Sequence, residues 1–84
     1  MEIKWNITTH KQDGVIFDSM FEAIQWAESI YADIYSGVFD GYITPDEKVA
    51  MALAFFLAQE EHLRVHTKRQ NENNTLVFKV WVVR

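Results

Sequence analysis

The chain has 84 residues, eight Lys and Arg against twelve Asp and Glu, no Cys, three Gly and one Pro, with 49% hydrophobic residues and a formal net charge of −4. That length sets an expectation of one domain, residues 1–84. The apolar content excludes a disordered tail, and the missing Cys excludes disulfides, thiolate metal sites and a thiol nucleophile.

The charge is unevenly placed. Residues 13–61 carry ten acids and one base, a local balance of −9, whereas residues 62–84 carry five bases and one acid, a balance of +4. The first residues show neither the basic start nor the apolar core of a signal peptide. The longest apolar run, Val49 to Ala58, is far short of the roughly 20 residues that span a bilayer. The expected setting is the cytoplasm, with no membrane association.

In chain order, Glu2 to Thr9 reads as a strand, because Ile3, Trp5 and Ile7 alternate with Lys4, Asn6 and Thr8. Asp13-Gly14 is a tight-turn pair, and Val15 to Phe17 reads as a short return strand. Ser19 and Glu22 have capping-box spacing and open a helix expected to run to about Tyr35, with Gly37 as its stop. Residues 36–43 read as a connector. Thr44 as N-cap, Pro45 in the first turn and Glu47 form a second capping box, opening a helix expected to end near Glu61. That helix is apolar all round and must be covered on every side. Ala50, Ala54 and Ala58 form a smooth stripe on it, expected to receive the first helix. The last segment reads as a hairpin that opposes Gln70 to Thr75, with Leu63 against Val82 and Arg64 against Trp81.

The expected fold is α+β, in β-β-α-α-β-β order. An antiparallel sheet packs one face on two helices, and the first strand is expected beside the last.

Two surfaces stand out. The first helix and its connector combine acids with edge aromatics: Glu22, Trp26, Glu28, Asp33, Tyr35, Phe39 and Asp40. Tyr and Trp are favoured interface anchors. The leading expectation is therefore a small non-catalytic regulator or inhibitor that binds a protein partner with a basic surface. Small phage-encoded inhibitors have a similar size and balance, a likeness of composition only. The alternative is single-stranded nucleic-acid binding by the outer sheet face, through Lys4, Arg64, Lys68, Lys79 and Trp81. A homodimer on exposed apolar surface is a third expectation.

No nucleophile elbow, phosphate loop or metalloprotease helix is present, so no catalytic residue and no cofactor is expected. Asp40-Gly41-Tyr42-Ile43 with Glu47 resembles the second half of an EF-hand calcium loop. Ser36 and Val38 stand where that pattern needs Asp or Asn, so the expectation is a capped helix start without a metal. His62 and His66 have helical zinc spacing. The alternation of Leu63, Val65 and Thr67 places them across a helix end and a strand instead.

Overall fold

The computed structural model describes residues 2–6 and 16–84. Among the described residues six elements follow one another: β1 (Trp5–Asn6), α1 (Met20–Tyr35), β2 (Gly41–Thr44), α2 (Glu47–Ala58), β3 (Arg64–Glu72) and β4 (Thr75–Val83). They build an α+β fold around one four-stranded mixed sheet of order β1-β2-β4-β3. Among the described residues of the expected first strand, Trp5 and Asn6 pair. Ile7, Thr8, Thr9, the Asp13-Gly14 turn and Val15 lie outside the described residues. Ile16 and Phe17 are not in a strand.

Both helix starts are set by side-chain caps. In α1, Ser19 Oγ accepts the Glu22 N–H at 3.3 Å and donates to the Glu22 carboxylate, also at 3.3 Å. The helix closes in a full Schellman motif. Gly37 takes φ +89°, its N–H donates to the Ile34 carbonyl, and the Val38 N–H donates to the Asp33 carbonyl. At the start of α2 the cap is Asp46, not Thr44. Thr44 is the last residue of β2, and its hydroxyl accepts the Asp46 N–H at 3.0 Å. Asp46 Oδ1 then accepts the Lys48 N–H at 2.9 Å, while Oδ2 accepts the Phe17 N–H at 2.8 Å. One buried carboxylate thus caps α2 and ties down the approach to α1. The helix ends at Ala58, three residues before the expected stop, in a short turn in which the Glu60 N–H donates to the Leu57 carbonyl.

The strand that sequence reading takes for a connector is β2, and it sits inside the sheet. β1 runs parallel beside it, with Trp5 opposite Gly41, and β4 runs antiparallel on its other side, with Gly41 opposite Trp81. The first strand is therefore separated from the last by β2, and the described elements follow in the order β-α-β-α-β-β. The β3–β4 hairpin turns on Asn73 and Asn74, at φ 52° and 66°. Two consecutive positive φ values make a primed turn, which Asn tolerates better than Glu72 would. The turn therefore sits one residue later than expected, and the register shifts by two. Arg64 faces Val83, His66 faces Trp81, Lys68 faces Lys79 and Glu72 faces Thr75. A shift of two keeps every side chain on its expected face.

The core joins Ala23, Ala27, Ile30 and Ile34 of α1 to Val49, Leu53 and Leu57 of α2, and to Tyr42, Val80 and Val82 of the sheet. α2 lies against both α1 and the sheet. Where α1 meets the sheet, Trp26 Nε1 donates to Tyr42 Oη at 2.8 Å. The far end of α1 is fastened by the last residue. Arg84 donates to the Ile34 carbonyl at 2.5 Å and the Phe39 carbonyl at 3.2 Å, and its Nε lies 3.5 Å from Asp40 Oδ1. Asp40 Oδ2 accepts the Lys4 N–H at 3.1 Å, so this one side chain links β1, the connector and the C-terminus.

Tyr31 adds a tie between α1 and the end of α2 by donating to Glu60 Oε2 at 2.5 Å. This hydrogen bond, together with desolvation and the carboxylate charge, raises the phenol pKa from 10.0 to about 12. Because the folded value exceeds the unfolded one, this contribution to stability is complete below pH 10 and disappears as pH rises through 12. In a spectrophotometric titration, Glu60→Gln should return one phenol toward its ordinary range. An unchanged phenol titration would show that the bond does not persist in solution.

Candidate interaction surfaces

The acidic and aromatic residues expected to form one partner-binding surface are dispersed by the helix geometry. At ~100° per residue, Glu22, Trp26 and Asp33 share one flank of α1, while Glu28 and Tyr35 lie on the other. Trp26 is turned toward Tyr42 and also packs on Phe17, with ring centroids 5.9 Å apart. Phe39 packs against the core, and Asp40 is held by Arg84 and the Lys4 N–H. Glu22, Glu28 and Tyr35 are exposed. The structure therefore brings only part of the set to solvent, and not onto one patch.

The EF-hand-like stretch is occupied by other work. Gly41 to Thr44 are strand residues, Asp40 is bonded as above, and Asp46 caps α2. Among the described residues no group of three His, Asp or Glu side chains is arranged to hold a metal. His62 and His66 are separated, the first against the Tyr35 ring and the second stacked on Trp81.

An open apolar surface lies on α2, where helical periodicity leads to the expectation of complete cover. The sheet covers one side of this helix and α1 another. Between them Phe55 remains 73% exposed and Met51 61% exposed, and on α1 Met20 is 44% exposed. Met51 and Phe55 stand four residues apart, so they form a ridge along one face. Beside the ridge runs a groove of about 290 Å³ between the helices, lined by Met20, Ile24, Met51, Ala52, Phe55 and Phe56, with almost no polar atom on its walls. Along the other flank, Ala50 and Ala54 line a second groove, shared with Thr67, Arg69 and Phe78 of the hairpin. The alanine stripe thus does not receive α1: Ala50 is buried, Ala54 half-buried and Ala58 exposed. From Val49 to Ala58 no side chain is charged.

Known proteins do not explain this face. Comparison finds no matching family model, no matching curated protein and no matching solved structure.

The opposite face of the sheet is a second candidate. Both helices lie on the side of Tyr42, Val80 and Val82. The other side carries Trp5, Trp81 and His66 in a row across the strands. Trp5 meets Trp81 edge-on with centroids 5.8 Å apart, and His66 stacks on Trp81 at 5.5 Å. Lys79 lies 5.8 Å over the Trp5 ring and 3.4 Å from Glu72. Arg64 and Lys68 are exposed on the same side. Lys4, expected on this face, is not on it: its ammonium reaches the Gly37 carbonyl at 3.4 Å. Trp5, a ring that sequence reading left out, stands there instead. Its strand alternation was visible, but its neighbour Trp81 was not, because β2 was hidden.

No helix among the described residues is long and apolar enough to cross a membrane.

Proposed function

We propose that this chain is a small non-catalytic binding protein, acting in the cytoplasm, that works by docking an amphipathic helix of another polypeptide against the open face of α2. The observation that carries this reading is the ridge of Met51 and Phe55 beside an apolar groove. A contiguous exposed apolar patch on a monomer is often functional. An uncharged ridge between two grooves suits recognition of a helix by its i, i+4 apolar anchors. The reading keeps the regulator or inhibitor class expected from the sequence and moves its surface from the acids of α1 to α2. Glu47, which lines the second groove, then acts on encounter rate and orientation more than on affinity.

Phe55→Lys is the direct test. Because the ring is mostly in solvent, the thermal melt should stay within about 0.5 kcal/mol of the original. Association should nevertheless be lost, as read by sedimentation of the purified chain and by co-purification from the producing cell. If both proteins sediment alike and retain the same polypeptides, the α2 face is not the docking surface.

A further inference from the structure

The outer sheet face carries a different chemistry from the α2 face, and its evidence is independent. We propose that it binds single-stranded nucleic acid, with bases against the row of Trp5, Trp81 and His66 and phosphates against Arg64, Lys68 and Lys79.

Three observations support this. First, the rings form a continuous aromatic strip across β1, β2, β4 and β3, and its continuity depends on Gly41. A Cβ at Gly41 would lie 2.6 Å from the Trp5 ring and 2.8 Å from the Trp81 Cβ, so only glycine lets the two tryptophans meet. Single-stranded nucleic acids are held by such platforms, because every base has a π-face. Second, Lys68 and Lys79 stand directly opposite each other across the hairpin. Like charges in that position are unfavourable. Glu72 answers Lys79 alone, at 3.4 Å. Among the described residues Arg64 and Lys68 have no ion pair. The face therefore holds more positive charge than its own carboxylate balances, and a phosphate chain would supply the remainder. Third, among the described acids Glu22, Glu28, Asp33 and Glu47 lie on the helices, Asp18, Asp46, Glu60 and Glu61 lie at their ends, and Asp40 is engaged by Arg84. The acids of the two helices lie across the sheet from the strip.

The probes are a mixed-sequence single-stranded oligonucleotide, the duplex of the same sequence, and heparin as a polyanion without bases. Each is titrated into the full chain at low salt, with tryptophan fluorescence and anisotropy as readouts. The single strand should bind saturably and quench fluorescence. Its affinity should fall with salt at a slope of about −2, the value for three phosphate contacts on a single strand. Arg64→Glu combined with Lys68→Glu should weaken binding at least tenfold while leaving the melting curve in place, since both side chains are exposed. Two results would overturn the proposal. One is no anisotropy change with the single strand. The other is equal binding of heparin and duplex without quenching, which would make the face merely cationic. Undiminished binding by the double variant would equally refute the assigned phosphate contacts.

Discussion

Asp46→Ala should be among the most damaging single substitutions in the chain, costing about 2–3 kcal/mol. The Asp46 side chain is 1% exposed, and its two oxygens serve two separated segments. Removing the carboxylate uncaps α2 and leaves the Phe17 N–H without the acceptor that holds the entry to α1. The 3.1 Å contact with the Lys48 ammonium adds less, because that lysine is partly in water. A domain of this size loses roughly 4–8 °C of melting temperature per kcal/mol, so the midpoint should fall by about 10–20 °C. Asp46→Asn keeps an acceptor for the cap and should lose less. Melting curves followed by circular dichroism decide this, and a midpoint unchanged in Asp46→Ala would refute the double role of the carboxylate.

Gly41→Ala should be comparably harmful for the opposite reason, too much volume. The added methyl would stand 2.6 and 2.8 Å from atoms of the Trp5 ring and 2.8 Å from the Trp81 Cβ. The Trp5 ring could swing away, but the Trp81 Cβ is fixed to the backbone of β4 and cannot. Relief therefore needs strand movement in the middle of the sheet, where overpacking costs about 1–3 kcal/mol. The two bonds from the Asp40 and Gly41 N–H groups to the Lys4 carbonyl would be strained with it. A lower melting temperature and an altered tryptophan emission are expected together. An alanine variant with both unchanged would mean that Trp5 does not lie on Gly41 in solution.

The contrast between these two sites shows how far the sequence could be read. The Ser19 cap, the Gly37 stop and the apolar spacing of α1 are local signals, and each matches the structure. The strand β2 was hidden because its four residues, Gly41 to Thr44, lie between a glycine-containing stretch and Pro45 and show no long alternation. They are held by partners distant in sequence: Trp5 and Asn6 on one side, Phe78 to Trp81 on the other. Thr44 and Asp46 are both good caps. The choice fell to Asp46 once Thr44 was committed to the sheet. The hairpin faces were legible from alternation, but its register was not, because that depended on which two residues would accept positive φ.

The surfaces follow the same division. Periodicity shows which residues share a face of a helix, and it correctly found α2 apolar all round. It does not show which face neighbouring elements leave open. Helical spacing puts Trp26 at a helix edge, yet its indole is turned to Tyr42, in a stretch whose sequence reads as a connector. Phe55 carried no distinguishing sequence signal, but it is 73% exposed because the sheet and α1 cover the other sides of α2.

Docking on the α2 face is the central claim, and site-specific photocrosslinking in the producing cell tests it most directly. A photoreactive residue at position 55 or 51 should give a defined adduct with another polypeptide, either a second copy of this chain or a different protein. The same group at position 29, on the exposed side of α1 turned away from Ile24, should not. No adduct from 51 or 55, or an equal adduct from 29, would contradict it.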